Sequence, residues 1–140
     1  MSVRRVYFNT SVLIKAVSLG EEGSSDALAF IVKLVDRGFV PVISNVHLEE
    51  RFRPETSNKI SGLVQAFGFR ICRVGLERVR REAENYVVSR GVSPSHLVDV
   101  MHLVAARECG CRFIAAVDRF IWAHAREFGL KYINYYTGIP

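Results

Sequence analysis

The chain has 140 residues, a length that suits a single domain spanning residues 1–140 with a real hydrophobic core. Apolar residues make up 49% and charged ones 24%, which excludes a disordered chain. The net charge of +5 is carried mostly by arginine, whose planar fork suits phosphate, so a polyanionic partner is expected and a membrane is not. The opening "MSVRRVYF" lacks the features of a signal peptide, and no apolar run approaches the roughly 20 residues of a membrane span. A cytoplasmic location is the expectation. Three cysteines, an odd number, argue against a disulfide framework. Cys109 and Cys111 flank Gly110 without partners at finger-like spacing, so they read as small apolar residues.

In chain order, "RRVYF" reads as a buried strand and residues 10–19 as a short helix. "SSDALAFIVKLVDRG" carries a helical stripe through Leu28, Ile31, Val32 and Val35 that stops at Gly38. "FVPVIS" is a second strand, which Pro41 pushes toward an edge-like role. "NVHLEERFR" and "SNKISGLVQAFG" read as helices separated by Pro54, and "FRICRV" as a third strand. "LERVRREAENYVVSRG" is an amphipathic helix with a glycine stop. "PSHLVDVMHLVAARECG" is apolar nearly all round and therefore a buried helix. "RFIAAV", "DRFIWAHAREFG" and "LKYIN" complete the pattern as strand, helix and strand. This alternation predicts an α/β fold with three α/β/α layers and a parallel sheet of about five strands. Right-handed crossovers then gather the strand C-termini along one edge, where open sheets bind ligands.

Asn9 ends the first strand and Asp118 the fourth, so both reach that edge. Each taken alone reads as a helix N-cap. Asp99 stands among Leu97, Val98, Val100 and Met101, where a carboxylate needs a cation or donor, and His96 and His102 are local partners at three-residue spacing. Glu49 and Glu50 follow the second strand, and periodicity does not choose between them. Carboxylates converging in one cleft repel unless they hold a divalent cation, and hard oxygen ligands select Mg²⁺ or Mn²⁺. Such an ion can activate water at a phosphodiester. No Walker loop, G-x-G-x-x-G or G-x-S-x-G is present.

With "VYFNTSVLIKAV", "ISNVHLEERF", "LVDVMHLVAARECGCRFIAAVDRF" and "FGLKYIN", the chain resembles the PIN domains, close to the toxin ribonucleases of VapBC type and their archaeal relatives. The resemblance runs along nearly the whole length. It implies a Mg²⁺- or Mn²⁺-dependent endoribonuclease, and a possible antitoxin partner in a toxin–antitoxin pair. The family's acidic positions fall on Asn9, Glu50, Asp99 and Asp118, which it makes the catalytic and metal residues, with Glu50 preferred to Glu49. Thr10 and Ser11 match the small hydroxyl residues that often follow the first acid.

Two departures stand out: the first acid is Asn9, and Ala116 occupies a position where many relatives carry Thr or Ser. Asn9 is either a change made to silence an enzyme or a natural weakening of metal binding. Arg53 and Arg119 neighbour the acidic segments and, with Thr10 and Ser11, are the expected RNA contacts. His47, His96, His102 and His124 read as packing or surface residues. The tyrosine-rich tail "YINYYTGIP" suggests contact with a second copy in a homodimer. The alternative is a non-catalytic module of the same fold that binds RNA or protein. A third reading, a receiver-like phosphoacceptor, is disfavoured because "YFNTS" and "CRVGLE" lack the required acids.

Overall fold

A computed structural model describes residues 4–140 of the protein. Strand β1 (Arg5–Phe8) sits at the centre of the sheet. It is followed by α1 (Thr10–Val17), α2 (Ser24–Asp36) and β2 (Val40–Ser44). Next come α3 (Pro54–Ala66), β3 (Arg70–Cys72) and α4 (Leu76–Arg90). The chain ends with α5 (Leu97–Glu108), β4 (Phe113–Ala115), α6 (Arg119–His124) and β5 (Lys131–Ile133). The five strands are all parallel in the order β3-β2-β1-β4-β5, with Tyr7 opposite both Val42 and Ile114.

Side-chain alternation along β1 divides the core. Val6 and Phe8 join α1, α2 and α3 on one face through Leu13, Ile31, Leu34 and Leu63. Tyr7 joins α4, α5 and α6 on the other through Val79, Met101, Leu103 and Ile121. The three-layer α/β/α fold expected from the sequence is therefore present. Seven consecutive residues of α5, Val100–Ala106, are buried, as an all-round apolar helix requires. Gly91 ends α4 with φ +65, a left-handed cap that favours glycine.

Several expectations need correction. Strand β2 is interior, between β3 and β1, not edge-like. Val40 donates its N–H toward β1, so the nitrogen of Pro41 points the other way, where β3 starts pairing only at Val42. The missing donor thus costs no ladder bond. "NVHLEERFR" forms only a 3₁₀ turn, Asn45–Glu49, and Glu50 is already extended. Asp99 lies in the first turn of α5 rather than its interior, because Pro94–His96 forms a separate 3₁₀ turn. An acid is favoured there by the helix dipole.

The cysteine count also misled. Cys72 of β3 and Cys109, which follows α5, form a disulfide, and Cys111 is free and buried. An odd count forbids complete pairing but not one bridge between surfaces that packing brings together. Burial pushes the Cys111 thiol up to about 12, so it stays protonated near neutral pH.

Candidate functional site

The chain runs outward from β1 through β2 to β3, then returns to place β4 on the other side of β1. The C-terminal ends of β1 and β4 therefore form the switch point of the sheet. Asn9 follows β1 and Asp118 caps α6 just beyond β4. Ser11 joins these ends, its Oγ accepting the Val117 N–H at 3.0 Å.

Glu50 is held from two sides. Thr10 Oγ1 donates to Glu50 Oε1 at 2.6 Å, and His102 Nε2 contacts the same oxygen. His102 is fully buried. Its Nδ1 lies 2.6 Å from the Tyr7 hydroxyl, which is 2.7 Å from Ser44 Oγ. Burial alone would raise the Glu50 carboxyl, but the His102 bond and charge, with the Thr10 bond, hold it below its ordinary value. Glu49 instead pairs with Arg80 at the surface. The geometry therefore connects Glu50, and not Glu49, to the strand ends.

His47 stacks edge-on against His102 at 4.5 Å between ring centres. Its Nε2–H donates to the Phe8 carbonyl at 2.8 Å, while Nδ1 accepts the Ser44 N–H at 3.2 Å. These bonds suit a neutral imidazole, and burial beside His102 pushes His47 down to about 4. The unfolded chain would bind a proton on this histidine near pH 6.5, whereas the folded chain resists until near pH 4. Stability from His47 is thus complete above about pH 6.5 and declines as pH falls, by about 2 kcal/mol at pH 5 and about 3 kcal/mol at pH 4. Glu50 acts in the same direction at lower pH, because its carboxylate must be protonated on acidification. Urea midpoints across this range should fall with acid, and the slope should flatten in His47→Gln.

Asp99 Oδ2 lies 3.0 Å from His96 Nδ1. Burial raises the Asp99 carboxyl and the nearby Asp118 charge raises it further, against the opposing pull of His96. Asp118 Oδ1 accepts the N–H groups of Phe120 at 2.7 Å and Ile121 at 3.3 Å, the cap expected of it. Asn9 does not behave that way. It occupies the N-cap position of α1 but its side chain accepts no capping bond. Its Nδ2 donates to Ser11 Oγ at 3.3 Å, and its buried Oδ1 has no hydrogen-bond partner among the described residues. A buried carbonyl oxygen left bare costs roughly 1–3 kcal/mol, which a cation or donor would offset.

Asp99 and Asp118 thus influence one another directly, and Glu50 joins them through α5, where His102 lies one turn beyond Asp99. Among the described residues, no three His, Cys, Asp or Glu side chains group closely enough to hold a metal ion. The donor types suit a hard cation: two mutually repelling carboxylates, a half-buried glutamate and an orphaned amide oxygen. Arg53 and Arg119 are exposed and form no ion pair among the described residues. Thr10 and Ser11 are engaged in the protein's own hydrogen bonds. Ala116 is fully buried, and its carbonyl accepts Asn134 Nδ2 at 3.2 Å.

Sequence reasoning gave too little weight to His102 and His47 and did not single out Tyr7 or Ser44. The three-residue step from Asp99 to His102 was visible, but not that His102 turns to Glu50, 52 residues away. Part of the tail packs within the chain. Tyr132 accepts the Asp118 N–H at 3.3 Å and Tyr135 packs against the core, while Tyr136 stays exposed. Beside Thr10 and His47 lies an apolar groove of about 250 Å³, walled by Leu48, Phe52, Ile60, Val64 and Ile71.

The sheet order, the helices on both faces and the polar residues at the switch point define a PIN-like α/β/α domain. In fold it is similar to solved VapC-type toxin structures. The structure of VapC20 from Mycobacterium tuberculosis, a Sarcin-Ricin loop cleaving toxin, aligns with a TM-score of 0.63 at 17% identity, covering 84% of this chain and 93% of that one. VapBC2 from Rickettsia felis, bound to a DNA fragment from its promoter, aligns with a TM-score of 0.63 at 10% identity over 93% and 98%. No family model matches the chain, and no curated protein matches it in sequence. No helix among the described residues is long and apolar enough to cross a membrane.

Proposed function

We propose that the protein is a metal-dependent endoribonuclease of PIN type, the toxin of a toxin–antitoxin pair, with weakened metal affinity. The observation that carries this reading is the buried Asn9 Oδ1, without a hydrogen-bond partner among the described residues, at the same sheet edge as Asp99 and Asp118. In this reading Asp99, Asp118 and Asn9 Oδ1 hold a Mg²⁺ or Mn²⁺ ion, with Glu50 beside them. Such an ion, when bound, lowers the pKa of water and offsets phosphate charge. The chain's own residues position the site. His102 and Thr10 anchor Glu50, the α6 backbone fixes Asp118, and Arg53 and Arg119 meet phosphates.

The similarity of fold to a Sarcin-Ricin loop cleaving toxin and to VapBC2 supports the same reading. An antitoxin peptide suits the apolar groove beside Thr10, and a second copy is the remaining proposed protein partner.

RNA cleavage by the wild type, Asn9→Asp and Asp99→Ala, with Mg²⁺ and Mn²⁺ titrated, tests the proposal. One added charge near a divalent ion contributes several kcal/mol before screening, so Asn9→Asp should lower the metal midpoint by about tenfold or more. Asp99→Ala should be inactive. Cleavage that survives Asp99→Ala, or that ignores the metal, overturns the assignment. RNA binding without cleavage in every version would indicate a non-cutting module.

A further inference from the structure

Three aromatic rings are stacked beside the acidic pair. His96, from the Pro94–His96 turn, lies on Phe120 with ring centres 4.1 Å apart and planes 6° from parallel. Phe120 and His124, one turn apart on α6, stack at 4.2 Å and 26°. Two rings cannot both lie nearly parallel at about 4 Å on one face of a third, so Phe120 is the middle of the stack. Among the described residues no further ring stacks on the outer face of His96. The His96 side chain keeps 39% of its surface exposed.

Both ends are fixed. His96 Nδ1 is bonded to Asp99, and His124 Nδ1 lies 2.7 Å from the Tyr86 hydroxyl. The platform is therefore ordered before anything binds, which removes the entropy cost of immobilising it on contact.

We propose that the outer face of His96 is a stacking subsite for an unpaired RNA base. The inference rests on the nuclease reading above and adds to it a residue that seats a base. A flat, pre-ordered ring offers every base the same π contact, while paired bases keep their faces hidden. A base seated on His96 lies next to the Asp99 carboxylate bonded to that imidazole. Its phosphate then falls near the Asp99–Asp118 pair and exposed Arg119, the residue before Phe120. The contact is sequence-tolerant, so it selects strandedness rather than sequence.

Fluorescence anisotropy of a short fluorescein-labelled single-stranded RNA in EDTA tests the subsite on the whole chain. His96→Phe keeps a ring and loses the Asp99 bond, whereas His96→Asn keeps a donor for Asp99 and loses the ring. Stacking predicts wild-type affinity, within about twofold, for His96→Phe and a loss of about tenfold for His96→Asn, the usual size of one base–aromatic contact. The opposite order would make His96 a positioning residue for Asp99 and overturn the proposal. Without any substitution, RNA should shift the His96 ring-proton resonances upfield and a duplex of the same sequence should not; equal shifts, or none, also overturn it. If the wild type cuts RNA while both variants bind it equally, the subsite falls and the nuclease reading stands. If the wild type neither binds nor cuts RNA, both fall.

Discussion

Replacing His102 with alanine should cost about 3–5 kcal/mol of stability, the usual range for truncating a large ring in the core. Three losses coincide. The half-buried Glu50 carboxylate loses its imidazole, the buried Tyr7 hydroxyl loses one of two partners, and a cavity opens in the middle of α5. Glu50→Gln should cost less, about 1 kcal/mol, because an amide oxygen still accepts from Thr10 and His102. Urea denaturation of the two variants and their double gives the coupling, expected between about 0.5 and 3 kcal/mol. A His102→Ala variant within about 1 kcal/mol of wild type would mean that Glu50 finds another partner in the fold.

The second large effect comes from the disulfide. Cys72 lies on β3, the outermost strand of its side of the sheet, and Cys109 closes the helix that carries Asp99 and His102. The bridge spans 37 residues, for which loss of chain entropy in the unfolded state gives about 4 kcal/mol of stabilisation. Reduction, or Cys72→Ser, should lower Tm by roughly 10–20 °C in a domain of this size. Calorimetry with and without reductant measures the change, and the intact protein should weigh two hydrogens less than its reduced form. Because Cys111 is buried and protonated, a thiol reagent should find no reactive group in the folded, oxidised protein. Labelling of one thiol without denaturant would contradict that arrangement.

These two predictions share a cause. Both concern ties between α5 and segments that reach it only through the sheet. Besides the bridge, the edge strand is held by its few ladder bonds to β2 and by the bonds of the Asn45 side chain to the Val74 backbone, and Glu50 sits on an extended segment outside any helix. Their attachment to α5 connects the stability of the whole domain to the geometry at the strand ends. The His47 contribution works at the same place: its neutral ring bridges the end of β1 to the end of β2 through the Phe8 carbonyl and the Ser44 N–H. Acid should therefore loosen the site and the fold together.

Alternating strand and helix patterns were enough to determine the layers, the parallel sheet and the edge at which the candidate site lies, because periodicity and connection handedness are local rules. The residues reaching that edge, Asn9, Asp99 and Asp118, were legible for the same reason: each follows or opens a recognisable element. Partner choice was not. Whether His102 faces Asp99 or Glu50, and whether Cys72 meets Cys109, depend on distances across 37 to 52 residues of chain. Only packing of α5 against the sheet fixes those distances. A buried polar side chain takes whichever partner the fold delivers, since leaving it bare costs more than any local preference contributes.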